Sequence, residues 1–144
     1  MAALTKAYEA FIKPNIIAAY KIAASTTIYK GALVGVNSSG YALPMTHATA
    51  SLKFIGIAEE TVANTGSAGA LSICISKAGS GVYADAGAAV QADVGKEVYV
   101  NSDNEVQVVT TGLTNQYKCG TLIALETTSG GTAGLRVRID NYTL

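Results

Sequence analysis

The chain has 144 residues, a length sufficient for one domain with a substantial core. Of these residues 49% are hydrophobic and only 14% are charged. Ten basic and ten acidic side chains give a formal net charge of zero, which argues against binding nucleic acid through a basic surface. Apolar runs are short and interrupted, so we expect neither a membrane span nor a secretory signal. Such low charge indicates a surface that partners cover, or one built of small residues.

Residues 1–20 differ from the rest and are predicted to form an N-terminal arm. Leu4, Tyr8, Phe11 and Ile12 share one face of a helix that Pro14 would end. A helix of about ten residues is marginal alone, so we expect the arm to order on a partner or, alternatively, as a cap on its own domain. The candidate contact residues are Leu4, Tyr8, Phe11, Ile12, Ile16, Ile17 and Tyr20.

The remaining residues, 21–144, are predicted to form one all-β domain. Ile28–Val36 and Tyr41–Leu43 flank the turn sequence Asn37-Ser38-Ser39-Gly40 and form a first hairpin. Pro44 ends that hairpin, and His47–Ser51 is a loop. Further strands are predicted at Lys53–Val62, where Gly56 marks a bulge or a close approach, and at Leu71–Lys77, around Val82-Tyr83, Val98–Val100, Val106–Val108, Thr121–Glu126 and Leu135–Asp140.

Alternation within the later strands assigns their faces. Leu71, Ile73 and Ile75 should share one face of their strand. The last strand should bury Leu135, Val137 and Ile139 and expose Arg136 and Arg138. Regularly spaced short strands with turn signals between them are typical of a small barrel or sandwich.

The second hairpin resembles the first and follows it at a constant spacing. Gly31, Val34, Val36 and Asn37-Ser38 match Gly95, Val98, Val100 and Asn101-Ser102. The same spacing relates Gly56 to Gly120 and Gly66 to Gly130, and it places Leu71, Ile73 and Ile75 on Leu135, Val137 and Ile139. Ile57-Ala58-Glu59 fits better with a shift of two residues. We hypothesise two similar units, about 30–77 and 94–141, related by a pseudo-twofold axis.

Residues suited to catalysis or metal binding are few. His47 is the only histidine and lies in a polar loop, so a Ser or Cys nucleophile would depend on it alone. Cys74 and Cys119 are far apart and are expected to be buried, reduced thiols. The run from Gly79 to Ala84 has dinucleotide-fingerprint spacing, but a strand-like stretch follows it instead of a helix. We therefore predict no enzyme activity, no metal and no cofactor.

Four blocks of the chain resemble the small head decoration, or capsid cement, proteins of phages. They are Ala23–Val34, Lys53–Glu60, Gln91–Val100 and Arg136–Asp140, and the resemblance extends over about residues 20–140. It implies a compact β-barrel or β-tulip body without enzyme activity. It also implies a homotrimer, although a dimer stays open, and an N-terminal arm that lies across neighbouring capsid subunits.

The expected function is therefore that of a structural virion protein, made in the host cytoplasm, which binds the outer capsid surface and stabilises the expanded head. Its partners would be the major capsid protein and further copies of itself, with no nucleic acid and no membrane. Four lysines and one glutamate in residues 1–30 would suit an acidic capsid exterior. The alternatives are a head-fibre or tail component, a carbohydrate-binding β module, which the lack of Trp disfavours, and a hydrolase that uses His47.

Overall fold

The computed structural model describes residues 16–144, and within them the fold is all-β, as predicted. Short strands follow one another with a single turn of 3-10 helix at Gln91–Asp93 and no α-helix among these residues. The strands are β1 Ile17–Lys21, β2 Thr26–Ile28, β3 Leu33–Val36, β4 Ala42–Pro44, β5 Lys53–Ala58, β6 Val62–Asn64, β7 Ser72–Ser76, β8 Ser80–Asp85, β9 Glu97–Val100, β10 Glu105–Gln107, β11 Lys118–Thr127 and β12 Ala133–Arg138.

Five strands of the first half form an open sheet in the order β1-β7-β5-β3-β4. All its ladders are antiparallel, and β1 is the strand at one edge. Beyond β1 a single parallel bridge joins Ile22 to Ala42. Within residues 16–144, the first sheet therefore stays open along β1 itself.

Five strands of the second half close on themselves in the order β10-β8-β12-β11-β9. The step that closes this ring is a parallel ladder, in which Glu105 pairs with Ala84 and Val106 with Asp85. Because β9 also pairs with β10, each of the five strands has a partner on both sides. The ring has no free edge.

Two predicted strands are each divided by a turn. Ile28–Val36 becomes β2 and β3, because the chain reverses between them at Gly31, where φ is +86°. Lys53–Val62 becomes β5 and β6, which are separated by an exposed Glu59-Glu60 pair. β2 and β6 then pair with each other as a small separate sheet. These divisions correct the sequence prediction, which could not show that the residues flanking each turn join different sheets.

The core has two clusters of buried side chains. One contains Leu33, Phe54 and the inward residues of the ring, and the other contains Val34, Ile55 and the inner side of the first sheet. Neighbouring residues of β3 and β5 thus belong to different clusters, and both faces of these strands are buried. This explains why β3 and β5 are almost continuously apolar.

The face assignment is right for the last strand and wrong for Leu71, which was predicted to belong to the strand that is β7. Leu135, Val137 and Ile139 are fully buried and both arginines are exposed, as predicted. Ile73 and Ile75 are buried, but Leu71 is 45% exposed because it lies before β7, where the chain leaves the sheet.

Strand pairs in the two halves keep the predicted spacing at one place and depart from it at another. Val34 pairs with Gly56 as Val98 pairs with Gly120, which keeps the predicted spacing between the halves. In the last strand of each half, however, Ser76 pairs with Ile57 and Arg138 pairs with Thr121. The residue numbers of these two strands therefore differ by less than the predicted constant spacing. Ile73 corresponds to Leu135 in this pairing, which corrects the predicted match of Leu71 with Leu135.

Candidate functional site

The outer side of β1 is the candidate interaction surface. The Lys77 N–H donates to the Ile16 carbonyl at 2.7 Å, and the Ile22 N–H donates to the Leu71 carbonyl at 2.9 Å. Alternate residues of a strand direct their backbone groups to the same side. The N–H groups of Ile17 and Ala19 therefore point away from β7. We call this side of Ile17–Lys21 the β1 edge.

The β1 edge is open in the part of the chain that the structure describes. The neighbouring strand on that side, β4, reaches it only beyond Lys21, where the Ala23 N–H donates to the Ala42 carbonyl at 3.0 Å. The corresponding strand of the second half, β8, is covered on its equivalent side by β10. Among the described residues, the first sheet thus has an edge strand with one unpaired side, whereas the ring is closed.

Few of the features that usually protect an edge strand are present along β1. Its register with β7 runs from Ile17 to Lys21 without a bulge, and its sequence contains no proline. Only Lys21 carries a charge. Edges of this kind readily pair with another strand.

The predicted contact residues divide into three groups. Leu4, Tyr8, Phe11 and Ile12 lie outside the described residues. Ile16 and Ile17 are 64% and 54% exposed at the start of β1. Tyr20 is half-buried, and its ring packs on the core cluster of the first sheet. The structure therefore places two isoleucines at the surface and Tyr20 largely against the protein's own core.

Contacts between Tyr20 and Lys77 hold β1 against the first sheet. The Lys77 ammonium donates to the Tyr20 hydroxyl at 2.8 Å and to the Ile55 carbonyl at 2.9 Å, and it lies 5.1 Å from the centre of the Tyr20 ring. The Tyr20 hydroxyl donates in turn to the Leu144 carbonyl at 3.2 Å. Lys77 is 5% exposed. Sequence reasoning missed it, because a lysine at the end of a strand ordinarily reaches solvent.

Exposed ion pairs lie on and next to the strands of the ring. Lys118 bonds Glu97 at 2.9 Å, which lowers the pKa of the Glu97 carboxyl and raises the pKa of the Lys118 amine. Arg138 bonds Asp140 at 2.7 Å and lowers the pKa of that carboxyl in the same way. Ion pairs that are exposed to solvent contribute little to stability.

His47, Cys74 and Cys119, the residues considered for nucleophilic chemistry, have different surroundings in the structure. The His47 Nδ1 accepts a hydrogen bond from the Thr114 backbone at 3.1 Å, which uses that ring nitrogen to hold two loops together. Cys119 is buried, which raises its pKa to about 12, whereas Cys74 is exposed. The prediction that both thiols are buried is wrong for Cys74, whose strand turns that position outward. Desolvation on the sheet and the nearby Glu60 carboxylate raise the pKa of Cys74.

The described residues contain neither a metal-binding cluster nor a membrane-spanning helix. Within residues 16–144, no group of three or more histidine, cysteine or acidic side chains is arranged to hold a metal ion. No helix in that range has the length and apolarity to cross a bilayer. No protein-family model matches the chain, and no curated protein matches it.

Proposed function

We propose that this protein is a structural virion protein that binds the outer surface of a phage capsid and stabilises the expanded head. The observation that carries the proposal is the β1 edge, the outer side of a strand that has no partner there among residues 16–144, with exposed Ile16 and Ile17 next to the predicted arm. The identity of the partner is inferred from the resemblance of four sequence blocks to decoration proteins. The major capsid protein and further copies of this chain are the proposed partners, on the outside of the virion.

The β1 edge suits attachment by strand addition. An added strand bonds to the backbone of an open edge, and pockets for alternate side chains supply specificity. The N–H groups of Ile17 and Ala19 face the place where such a strand would lie, and Ile17 adds apolar area beside it. Each contact is modest, but repeated attachment over a capsid raises the total binding strength by avidity.

The arrangement of strands supports a finer proposal for the body. We propose a small β-barrel of tulip-like shape, built from two units related by a pseudo-twofold axis. Its support is the equivalent order of the strands, β1-β7-β5-β3-β4 and β8-β12-β11-β9-β10, together with the matching pairs at Gly56 and Gly120. A homotrimer on the capsid is the proposed assembly.

A proline at position 19 tests the β1 edge. Because the Ala19 N–H faces away from β7, Ala19→Pro removes no bond of the β1–β7 ladder, and edge strands tolerate proline in that orientation. It does remove a donor and adds bulk where a capsid strand would pair. We expect binding to expanded heads prepared without this protein to weaken by at least about tenfold, as measured by co-sedimentation.

Ala19→Ser is the matched control, because it keeps the backbone donor and should bind like the wild type. Deletion of residues 1–15 measures the separate contribution of the arm. If Ala19→Pro binds heads as tightly as Ala19→Ser, strand addition at β1 is wrong. If the wild-type chain itself fails to bind heads, the decoration function is wrong, and cryo-electron microscopy of virions then distinguishes a head-fibre or tail component.

A further inference from the structure

A second candidate site lies where the two halves of the molecule meet. A cleft of about 540 Å³ opens between the turn that precedes β3, strand β8, the β9–β10 turn and the β11–β12 turn. Its volume is in the range typical of small-molecule sites, about 300–1,000 Å³. Its polar and aromatic lining includes Tyr29, Lys30, Asp103, Asn104, Thr128 and Thr132.

Backbone and side-chain bonds fix the base of the cleft. The Tyr83 hydroxyl donates to the Gly31 carbonyl at 2.9 Å, and the Leu33 N–H donates to the Asp103 carbonyl at 2.8 Å. The Ala84 N–H donates to the Asn104 carbonyl at 3.2 Å. These bonds join the turn before β3 and the β9–β10 turn to the ring, so the lining residues are held before any ligand arrives.

Several side chains of the cleft are available to a ligand. Tyr29 is 64% exposed, so its ring is accessible from solvent. Asp103 is half-buried, yet its carboxylate makes no hydrogen bond or ion pair with the residues that the structure describes. The Lys30 ammonium has no partner within the same range. A ring face, an acceptor and a donor thus surround one space.

We propose that this cleft binds a short neutral oligosaccharide. The C–H face of a sugar ring packs on an aromatic face such as that of Tyr29, whose ring is apolar with a polar tip. Sugar hydroxyls donate to the Asp103 carboxylate and accept from Lys30, and hydrogen bonds to charged groups are the stronger kind. Thr128 and Thr132, whose hydroxyls bond each other at 2.8 Å, offer further polar contacts.

The balanced charge of the cleft lining favours a neutral sugar over a charged ligand. One lysine and one aspartate balance, so neither a nucleotide nor a polycation meets a field that favours it. The absence of Trp disfavoured a carbohydrate module at the level of sequence. The exposed Tyr29 ring supplies the aromatic platform that such a module needs.

A glycan microarray of bacterial surface saccharides, together with titrations of maltohexaose, cellohexaose and chitohexaose followed by NMR, tests the proposal. The wild-type chain should bind at least one of these probes. Tyr29→Ala and Asp103→Asn should each weaken that binding by about tenfold or more. Tyr29→Phe keeps the ring and should retain most of the binding, and Val109→Ala, an exposed position outside the cleft lining, should retain all of it.

Two results would overturn the inference. One is a wild-type chain that binds none of the saccharides on the array and none of the three hexaoses. The other is binding that survives in both Tyr29→Ala and Asp103→Asn, which would locate the sugar elsewhere. Both variants should bind heads normally, so failure here leaves the proposed function untouched.

Discussion

At the scale of single residues, two glycines decide how closely the strands approach. A Cβ atom at Gly56 would overlap the Ser76 carbonyl, and one at Gly120 would overlap the Arg138 carbonyl. Gly56 also has a φ of +142°. The sequence indicated a bulge or close approach at Gly56, and the register shift of β3 opposite it confirms this. Which strand comes close could not be read from the sequence, because Ser76 is remote from Gly56 along the chain.

Gly56→Ala should destabilise the fold strongly. The added methyl group meets a backbone carbonyl that cannot rotate away, and the φ of the site is unfavourable for alanine. We expect a loss of more than about 2 kcal/mol in the free energy of unfolding, measured by urea denaturation, and a similar loss for Gly120→Ala.

Gly130→Ala is the matched control, because its Cβ would meet only the Thr128 hydroxyl oxygen, at 3.8 Å, and φ there is not positive. Its free energy of unfolding should change by less than about 1 kcal/mol, in the stabilising direction. Equal effects at positions 56 and 130 would contradict the packing argument.

At the scale of elements, β1 is the strand whose role the sequence assigned least well. The predicted arm extended to residue 20, but the strand begins at Ile17 and is held by Tyr20 and Lys77. Ile17-Ala18-Ala19-Tyr20 has no clear two-residue alternation, since two small residues occupy its centre. β1 pairs with β7, although five other strands lie between them along the chain. A local sequence pattern cannot predict a pairing between segments so far apart.

Tyr20→Phe should loosen β1 without unfolding the rest. The change removes the oxygen that accepts from the Lys77 ammonium and leaves that buried donor with one partner fewer. We expect a loss of about 1–3 kcal/mol. Hydrogen exchange should accelerate at the Ala18 and Tyr20 amides, which face β7, with a smaller change in β12.

Tyr29→Phe provides the comparison, because the Tyr29 hydroxyl bonds to no described residue and is exposed. It should leave both stability and exchange unchanged. Uniform acceleration over all strands in Tyr20→Phe would show that the Tyr20–Lys77 contact supports the whole domain instead of β1 alone.

At the scale of the whole molecule, the two halves share one core. The larger cluster joins Leu33, Met45, Leu52 and Phe54 of the first half to residues of the ring such as Val98 and Leu135. Neither half buries its apolar surface alone. The halves should therefore unfold together despite their separate sheets.

Phe54→Ala tests this shared core. Phe54 is 5% exposed and lies on the side of β5 that faces the ring. Its truncation should cost about 3–5 kcal/mol, and circular dichroism and tyrosine fluorescence should still report one coincident urea transition. Ile123→Ala, at a 41% exposed position, should cost less than about 0.5 kcal/mol. Two separate transitions would show that the halves fold independently.

The sequence by itself determined the all-β class, most strand positions, the two hairpins and the buried face of the last strand. These follow from alternation and turn chemistry, which act over a few neighbouring residues. The tertiary structure alone decided that, among residues 16–144, the outer side of Ile17–Lys21 has no partner strand while the second half closes, and that Tyr29 and Asp103 line one cleft. Both outcomes depend on pairings between residues distant in the chain, and no local pattern encodes which strand edge remains without a partner.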